Sequence, residues 1–233
     1  MATPFLTARW QNLINITYPV SPELLLPYTP RGVELDIQNG AAFCSFVAFD
    51  FQKTRLLGIP IPFHTQFPEI NLRFYVKYRG KNAVCFVREF VPKVAVAYLA
   101  QWVYNEPYRH IKMHTQSQFT ETELQVQHQF WVKRQVYSVT VVADKNSYQP
   151  ATNTTEHYFK EHDLGLGKDH RGNTTCYTVL HPVWNIYPIK KYDLSVDFGA
   201  VYGKQWQILN HTEPLNVLLA QGSDVAVYPK EMV

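Results

Sequence analysis

The sequence predicts a mainly β fold of the α+β class, and three observations lead to that prediction. Aromatic residues make up 15% of the 233 residues, and aromatic side chains suit a pleated surface. Fifteen prolines outnumber ten glycines, which favours stiff connections over long helices. The segments lack the regular alternation of strand and helix that a Rossmann or barrel enzyme would show. Because 46% of the residues are hydrophobic, we expect residues 1–233 to form a single domain with one sizeable core.

The first third of the chain predicts strands separated by proline and glycine signals. Residues 12–20, NLINITYPV, predict a strand, and SPELLLPYTPRG predicts a short helix. GVELDIQNG and AAFCSFVAFDFQ predict a hairpin across Asn39-Gly40, since this pair readily takes the positive φ values of a tight turn. TRLLGIPIPFH predicts a loop or a sheet edge because its two prolines cannot donate ladder hydrogen bonds.

The rest of the chain continues this pattern of strands with a few helices. EINLRFYVKYRGKNAVCFVREFVP predicts two strands joined at Arg79-Gly80, and VAVAYLAQWVYN predicts a buried helix by its length and alanine content. ATNTTEHYFKEH predicts a second helix or a polar connection. Further strands are predicted at ELQVQHQFWV, QVYSVTVVA, TTCYTVLH, YDLSVDFGAVYG and DVAVYP, which gives about nine or ten strands with two or three helices.

Charge and end sequences restrict the partners that we expect. The net charge of +3 comes from 22 basic and 19 acidic residues without a long basic stripe, so nucleic acid is not an expected partner. The start MATPFLTARWQNL lacks the basic and apolar regions of a secretory signal, and no stretch is long enough to cross a bilayer. We therefore expect a cytoplasmic protein without a membrane partner. The widely spaced Cys44, Cys85 and Cys176 predict reduced, buried thiols.

Two histidine-rich stretches raise the question of a metal site. His110 and His114 would share a face of a helix or of a strand, but no carboxylate completes an H-E-x-x-H motif. His157, His162 and His170 lie among acidic residues in EHYFKEHDLGLGKDH, whose composition is typical of a solvated loop. Ordinary polar roles are favoured in both stretches, and we predict neither a metal nor a cofactor.

A row of polar side chains in an apolar strand is the more informative feature. In FPEINLRFY, Glu69, Asn71 and Arg73 alternate with apolar residues and so share one face. Arg88 and Glu89 interrupt the next strand, and only one of these neighbours can join that row. The face is either solvated or lines the interior of a curved sheet, where buried charges are paired and often functional. Periodicity alone favours the solvated face.

Nine segments form a recognisable set along the chain: TARWQNL, LLLPYTPRGVELD, TRLLGIPIPFH, FPEINLRFYVKY, FVREFVP, YNEPY, TEHYF, HPVWNIYPI and GSDVAVYP. In order and spacing they resemble the YqjF-like bacterial family. This family, domain of unknown function 2071, is grouped with the acetoacetate decarboxylase superfamily. The resemblance implies a curved antiparallel β-cone or double barrel that encloses a cavity, with helices outside. Superfamily members assemble through exposed strands and helices, so the resemblance also allows a homo-oligomer.

The resemblance also shows where this chain departs from the decarboxylases. Those enzymes form a Schiff base through a lysine that follows a helix in a Gly-x-Pro-Lys-Lys run. Here Tyr108 and Arg109 stand at the two lysine positions, and neither can form an imine. Lys112 is a candidate for a displaced lysine, but an exposed strand lysine is favoured. We therefore predict that the cavity is kept and that imine-forming decarboxylation is lost.

Other decarboxylase positions give a mixed picture. The arginine of the family's Tyr-Arg-Thr-Asp run is missing, because that run falls on Tyr18-Pro19-Val20-Ser21. Glu69 resembles the decarboxylases' pocket glutamate, and with Tyr108 it is our catalytic candidate for moving protons. The ligand-binding candidates, which could hold a carboxylate or orient an enol, are Arg9, His64, Arg73, Arg88 and Arg109.

Two hypotheses about function follow from these residues. The first is a cavity protein that binds a small organic acid or related metabolite and acts by acid–base chemistry without a covalent lysine. The second is a non-catalytic binding or structural protein, in which pairs such as Arg73 with Glu69 or Arg88 with Glu106 knit a filled barrel together. A cavity on which Glu69, an arginine and Tyr108 converge would favour the first.

Overall fold

The computed structural model describes residues 3–104, 107–169 and 171–233. Within these ranges the chain forms four α-helices, α1 (Pro22–Leu25), α2 (Val94–Tyr104), α3 (Thr155–Lys160) and α4 (Phe198–Tyr202), and 3-10 helices at Leu26–Tyr28 and Lys204–Asn210. It also forms seventeen strands, more than predicted because several have only two residues. The strands are β1 (Leu6–Val20), β2 (Glu34–Leu35), β3 (Ala42–Leu56), β4 (Ile59–Pro60), β5 (Phe67–Tyr78), β6 (Lys81–Val91), β7 (Tyr108–His110), β8 (Lys112–Phe119), β9 (Glu123–Val132), β10 (Gln135–Asp144), β11 (Leu164–Lys168), β12 (Thr174–Leu180), β13 (Ile186–Tyr187), β14 (Ile189–Ser195), β15 (Asn216–Ala220), β16 (Asp224–Val227) and β17 (Glu231–Met232).

Seven strands hydrogen-bond in a closed ring and form a barrel. Their order is β1, β16, β12, β11, β6, β5, β3 and back to β1. The long pairing of β1 with β3, from Leu6 opposite Leu56 to Val20 opposite Ala42, closes the ring. The pair β11 and β6 is parallel, while the other neighbours in the ring are antiparallel. Short strands extend the sheet beyond the ring, and the predicted mainly β fold is confirmed.

A second sheet of four strands, in the order β14, β10, β9 and β8, packs against the outside of the barrel. Phe46 and Leu72, from the outer faces of β3 and β5, share one core with Phe130 and Val141 of this sheet. The Phe198 ring of α4 completes the cluster, with its centroid 5.8 Å from that of Phe46. Burial of these large apolar side chains is the main force that holds the two sheets together.

Strand β5 therefore has no solvated face along its centre. Ile70 and Leu72 point outward into the core between the sheets, whereas Glu69, Asn71 and Arg73 point into the barrel. The alternation of this row is confirmed, but the preference for a solvated face is wrong. The physical reason is that ring closure turns one face of β5 inward, while the second sheet covers the other.

The predicted turns form at their expected positions. Asn39 and Gly40 have φ values of 52° and 82°, and Arg79 and Gly80 have values of 49° and 75°, as a primed turn requires. The second turn joins β5 to β6 as predicted. Across the first turn, the hairpin prediction is wrong in its pairing, because β2 pairs with β5 and not with β3. The segment TRLLGIPIPFH contributes the edge strand β4, which confirms that prediction.

Strand β1, which was predicted at residues 12–20, starts at Leu6 and contains a bulge at Asn12, whose φ is 54°.

The helix predictions are confirmed in part. Helix α3 forms at ATNTTEHYFKEH, so the helical alternative is confirmed there. In YDLSVDFGAVYG, the strand prediction is wrong for the second half, which is α4. The Asp197 side chain caps this helix by accepting from the Ala200 N–H at 3.1 Å.

Helix α2 occupies the predicted position over one side of the barrel. Ala97 is buried, and Val96 and Leu99 face the barrel interior, while Val94 and Tyr98 are exposed. The helix is therefore only partly buried in its described portion. Across the described ranges, no helix has both the length and the apolar composition that a membrane span needs.

Candidate functional site

The barrel encloses a cavity of about 140 Å³. That volume is large enough for roughly ten water-sized positions, or for one small metabolite. Polar side chains from five segments reach it: Glu69, Asn71, Arg73, Glu89, Tyr108, Lys160, His162, Tyr177 and His181. The rest of its wall is mostly aromatic and aliphatic: Phe5, Leu6, Trp10, Leu13, Val47, Phe49, Phe51, Phe67, Val84, Phe86, Val96, Leu99, Leu164, Gly165, Val179, Trp184 and Val227.

Glu69 is the centre of a hydrogen-bonded group in the wall. Its Oε2 accepts from the Tyr108 hydroxyl at 2.9 Å, and its Oε1 accepts from Asn71 Nδ2 at 3.0 Å. Burial raises the pKa of Glu69 to about 7, although both hydrogen bonds favour the ionised form and act in the opposite direction. A carboxyl group with this pKa exchanges its proton readily at neutral pH.

Tyr108 lies beside two carboxyl groups. Burial raises the pKa of this phenol well above its usual value, and the charges of Glu69 and Glu89 raise it further. Glu89 is buried and reaches the cavity from β6. Tyr108 therefore remains protonated at neutral pH and acts as a hydrogen-bond donor to Glu69.

The C-terminal end of α3 is held inside the barrel through the carbonyl group of Phe159. The Phe159 carbonyl oxygen accepts from Asn15 Nδ2 at 3.1 Å, from Arg73 Nη2 at 2.9 Å and from the Tyr75 hydroxyl at 3.3 Å. These donors come from β1 and β5, which are neighbours of β3 on its two sides. Because three donors fix this carbonyl, the residues that follow it have a defined position in the cavity wall.

Lys160 is the first of these residues. Its side chain is completely buried and lines the cavity, and its ammonium pairs with Glu161. Glu161 Oε1 also accepts from the Trp184 backbone N–H at 3.3 Å. From the sequence, only Lys112 was considered as a displaced lysine, and Lys160 was missed as a lysine of the cavity wall. Lys112 is exposed on β8, with its ammonium 4.6 Å from the centroid of the Trp131 ring.

His162 is the second residue, and only 8% of it is exposed. Its ring packs against Tyr75 and Tyr158, with centroid distances of 4.9 Å and 5.2 Å. Among the residues that the structure describes, neither ring nitrogen has a hydrogen-bond partner. Burial, together with the charge of Arg73, lowers the pKa of His162 to about 3, so the imidazole is neutral.

The burial of Lys160 and His162 corrects the interpretation of EHYFKEH as part of a solvated loop. The aromatic pair Tyr158-Phe159 was the available signal, because it gives this helix an apolar side that must be covered. Phe159 packs on Phe43 beneath α3 and carries its neighbours inward. His170, from the same stretch, lies outside the described residues.

The side chain of Tyr177, from β12, approaches the cavity at a point where β11 has a glycine. A Cβ atom at Gly165 would lie 2.3 Å from Cζ of the Tyr177 ring. Only glycine therefore permits this ring to pack on the β11 backbone and to form part of the cavity wall.

The structure brings together three of the residues that the sequence suggested, Glu69, Arg73 and Tyr108. Arg88 lies on the opposite face of β6 from Glu89, and its Nη1 donates to the Val201 carbonyl oxygen at 2.9 Å. The suggested Arg88 pair with Glu106 lies outside the described residues. Arg73 donates to the backbone of α3, and no ion pair joins it to Glu69 within the described ranges.

Other suggested residues lie away from the cavity wall. Arg109 is exposed on β7, and Arg9 is on the outer surface with Asp224 at 3.5 Å. His64 Nδ1 is 2.8 Å from the Pro62 carbonyl oxygen in the loop after β4. His110 and His114 are exposed on two different strands, β7 and β8. In the part of the chain that the structure describes, no three His, Cys, Asp or Glu side chains cluster as metal ligands would.

Known structures share this fold across almost the whole chain. The enduracididine biosynthesis enzyme MppR complexed with pyruvate superposes with a TM-score of 0.69 at 16% identity, covering 100% of this chain and 91% of that one. An acetoacetate decarboxylase from Legionella pneumophila has a TM-score of 0.67 at 12% identity, covering 100% and 88%. An acetoacetate decarboxylase-like enzyme from Sphingomonas wittichii RW1 has a TM-score of 0.66 at 9% identity, covering 98% and 94%.

Sequence comparison identifies the family. The protein YqjF from Bacillus subtilis (strain 168) is 37% identical over 78 residues, which are 33% of this chain and 32% of that protein. The match thus spans about a third of the curated relative. The family model DUF2071, described as an uncharacterized conserved protein, matches residues 7–224. The chain therefore belongs to the DUF2071 family, and its fold is that of the acetoacetate decarboxylases.

Proposed function

We propose that this chain binds a small oxo acid in its cavity and that Glu69 exchanges protons with the bound acid. The observation that carries the proposal is the Glu69 carboxyl group, which is buried in the cavity wall, bonded to Tyr108 and has its pKa raised to about 7. A carboxyl group of this kind is suited to act as a general base or acid near neutral pH.

Two cations provide a place for the carboxylate of the acid. Arg73 lines the cavity, and among the described residues its buried Nε has no hydrogen-bond partner. Lys160 lines the same cavity, and its ammonium pairs with Glu161. A guanidinium and an ammonium in a buried wall attract a carboxylate more strongly than they would in water.

The spacing along β5 separates the two ends of the site. Glu69 and Arg73 are four residues apart on an extended strand, so their Cα atoms are about 13 Å apart. Both side chains project into the cavity between these two positions, so a small acid that contacts both must lie between the ends of the side chains. The aromatic wall, which includes Phe49 and Phe67, suits a short apolar substituent. The complex of MppR with pyruvate supports an oxo acid of this size as the ligand.

Proton exchange at the methyl group of pyruvate tests this proposal. In D₂O the wild-type chain should replace the methyl protons with deuterium faster than buffer does, which proton NMR measures directly. Glu69→Gln keeps the shape of the side chain but cannot accept the proton, so the exchange rate should fall by about 10²- to 10⁴-fold. Binding of pyruvate should persist in this variant, because the carboxylate contacts remain.

A matched control is Glu123→Gln, since Glu123 is on the outer sheet and pairs with Lys190. It should exchange pyruvate protons at the wild-type rate. A wild-type chain that binds pyruvate without catalysing exchange would refute the acid–base part and leave a binding protein. A chain that binds neither pyruvate nor 2-oxobutyrate would refute the proposal as a whole.

A second candidate function is imine formation, and the burial of Lys160 in the cavity wall favours it. The Lys160 ammonium would first lose a proton, and the amine would then add to the ketone with loss of water. Its ion pair with Glu161 opposes that first step. Borohydride reduction in the presence of pyruvate, followed by intact mass measurement, distinguishes the candidates. Acid–base exchange without an imine predicts no adduct, whereas an adduct mapped to Lys160 would establish the imine.

A further inference from the structure

His162 is a buried polar group whose hydrogen-bonding capacity is unused. It lines the cavity, and among the described residues neither Nδ1 nor Nε2 has a partner. Most buried polar groups in folded proteins are bonded, because an unbonded one loses its contacts with water and gains nothing in return. The exceptions require an explanation, and a ligand that completes the bonding is one.

The ring cannot simply turn outward to find water. It is packed against Tyr75 of β5 and Tyr158 of α3. The Phe159 carbonyl, three residues earlier, is fixed by donors from β1 and β5. The imidazole is therefore held in one place relative to the cavity, which is the condition for an effective contact with a bound substrate.

The surroundings of His162 keep it neutral. The charged and titratable groups that face it are Arg73 and Tyr75 from β5, Tyr158 from α3 and His181 from the end of β12. Burial, Arg73 and His181 all lower the pKa of His162. A neutral imidazole has one N–H donor and one acceptor nitrogen. It can thus donate to a carbonyl oxygen without carrying a charge that would compete for the carboxylate.

We propose that the neutral imidazole of His162 donates a hydrogen bond to the carbonyl oxygen of the bound acid and makes the cavity select oxo acids over plain carboxylic acids. This inference rests on the proposed function. During exchange, Glu69 removes a proton from the carbon beside the carbonyl. The C–H electron pair forms a C=C bond, and the carbonyl π pair moves to oxygen. The His162 N–H stays on nitrogen and stabilises the enolate oxygen. The Glu69 carboxyl group exchanges its proton for a deuteron of D₂O and delivers it to carbon, where the C=C pair forms the C–D bond and the carbonyl is restored.

The test compares pyruvate with propionate, which has the same carboxylate and chain length but no carbonyl. Wild-type chain should bind pyruvate more tightly, and His162→Leu should remove that preference while still binding both acids. The exchange rate of the pyruvate methyl protons should fall about 10²- to 10³-fold in His162→Leu, the typical effect of losing one oxyanion donor. His162→Gln retains a neutral donor and should recover part of both effects.

The pH dependence is a further readout, and it checks that the donor is a neutral imidazole. Because His162 stays neutral, the affinity ratio for pyruvate over propionate should be constant between about pH 5.5 and 8. Equal affinity of the wild-type chain for the two acids would overturn the inference. So would a His162→Leu variant that exchanges pyruvate protons and selects pyruvate as the wild type does.

The outcomes also separate this inference from the proposed function. Loss of exchange in Glu69→Gln with an unchanged His162→Leu variant would refute the role of His162 alone. A selectivity that depends on His162, without any exchange in the wild type, would refute the role of Glu69 and support that of His162. A wild-type chain that binds neither acid would overturn both.

Discussion

Two buried histidines, one on each side of the barrel wall, differ in their hydrogen bonding. His128 lies between the barrel and the outer sheet, where 1% of it is exposed. Its Nε2 is 2.9 Å from the Asn12 carbonyl oxygen, and its Nδ1 is 2.8 Å from the Thr115 hydroxyl. His162 faces the cavity, and the described residues offer its nitrogens no partner. His128 is thus satisfied within the protein, whereas His162 is left available to a ligand.

The bonding of His128 also defines its tautomer. The Asn12 carbonyl oxygen can only accept, so Nε2 of His128 carries the proton, and Nδ1 accepts from the Thr115 hydroxyl. Burial lowers the pKa of His128 as it does that of His162. Both rings are neutral in the folded protein, but only His128 contributes to stability through its two bonds. The difference between the two regions can therefore be measured.

The largest expected effect concerns the pH dependence of stability within the cavity. The pKa of His162 falls from 6.5 to about 3 on folding, so between these pH values the unfolded chain binds a proton that the folded chain does not. Through His162, the free energy of unfolding therefore decreases as pH falls below 6.5. The pKa of Glu69 rises from 4.5 to about 7 on folding, so the folded chain binds the extra proton between these pH values. Through Glu69, the free energy of unfolding therefore decreases as pH rises through that interval. Between about pH 4.5 and 6.5 the two effects oppose each other.

Single variants should expose these opposed effects. His162→Leu should become less stable as pH rises from 5 to 6.5, while Glu69→Gln should become more stable over the same interval. Each slope is about 1.4 kcal/mol per pH unit, so the two variants should diverge by about 4 kcal/mol over 1.5 units. Urea unfolding at several pH values measures this. Parallel pH profiles for the two variants would contradict it, and His128, common to both, cancels in the comparison.

The next effect sharpens the comparison of the two histidines directly. At pH 8, His128→Leu leaves the partly buried Asn12 carbonyl and Thr115 hydroxyl without their His128 partner, so it should lower the free energy of unfolding by about 2–4 kcal/mol. His162→Leu removes a polar group that has no bond to lose, so its effect should be within about 1 kcal/mol of zero. Urea unfolding checks both values, provided that the slope of the free energy of unfolding against urea concentration is the same as in the wild type. Equal losses in the two variants would mean that His162 is structural.

Features of the fold that depend on local geometry could be predicted from the sequence. The turns at Asn39-Gly40 and Arg79-Gly80 were predictable because φ preferences are local. The shared face of Glu69, Asn71 and Arg73 was predictable because the strand period is two. The periodicity of β5 carries no information about which face turns inward, since ring closure depends on strands far away in the sequence.

The cavity side of α3 was harder to predict for the same reason. The position of Lys160 and His162 depends on donors to the Phe159 carbonyl that are 84 to 144 residues away in the sequence. Glu, Lys and His side by side in EHYFKEH are typical of a solvated segment. The charges of this stretch concealed its burial, and only Tyr158-Phe159 indicated an inward side. Polar side chains next to such an aromatic pair therefore deserve to be considered as interior candidates.

The smallest expected effect tests how the protein holds Glu69 ready for proton transfer. The Tyr108 hydroxyl donates to Glu69 and favours its ionised form, so it keeps the pKa of Glu69 lower than burial alone would. Tyr108→Phe leaves the Asn71 bond in place and should raise the pKa of Glu69 by up to about one unit. The pH at which pyruvate exchange reaches half its maximum rate should move upward from about 7 by the same amount. Tyr148→Phe, at an exposed phenol, should leave that midpoint unchanged. A midpoint that stays at its wild-type pH in Tyr108→Phe would show that the hydroxyl does not tune Glu69, and the cavity's proton chemistry would then depend on burial and Asn71 alone.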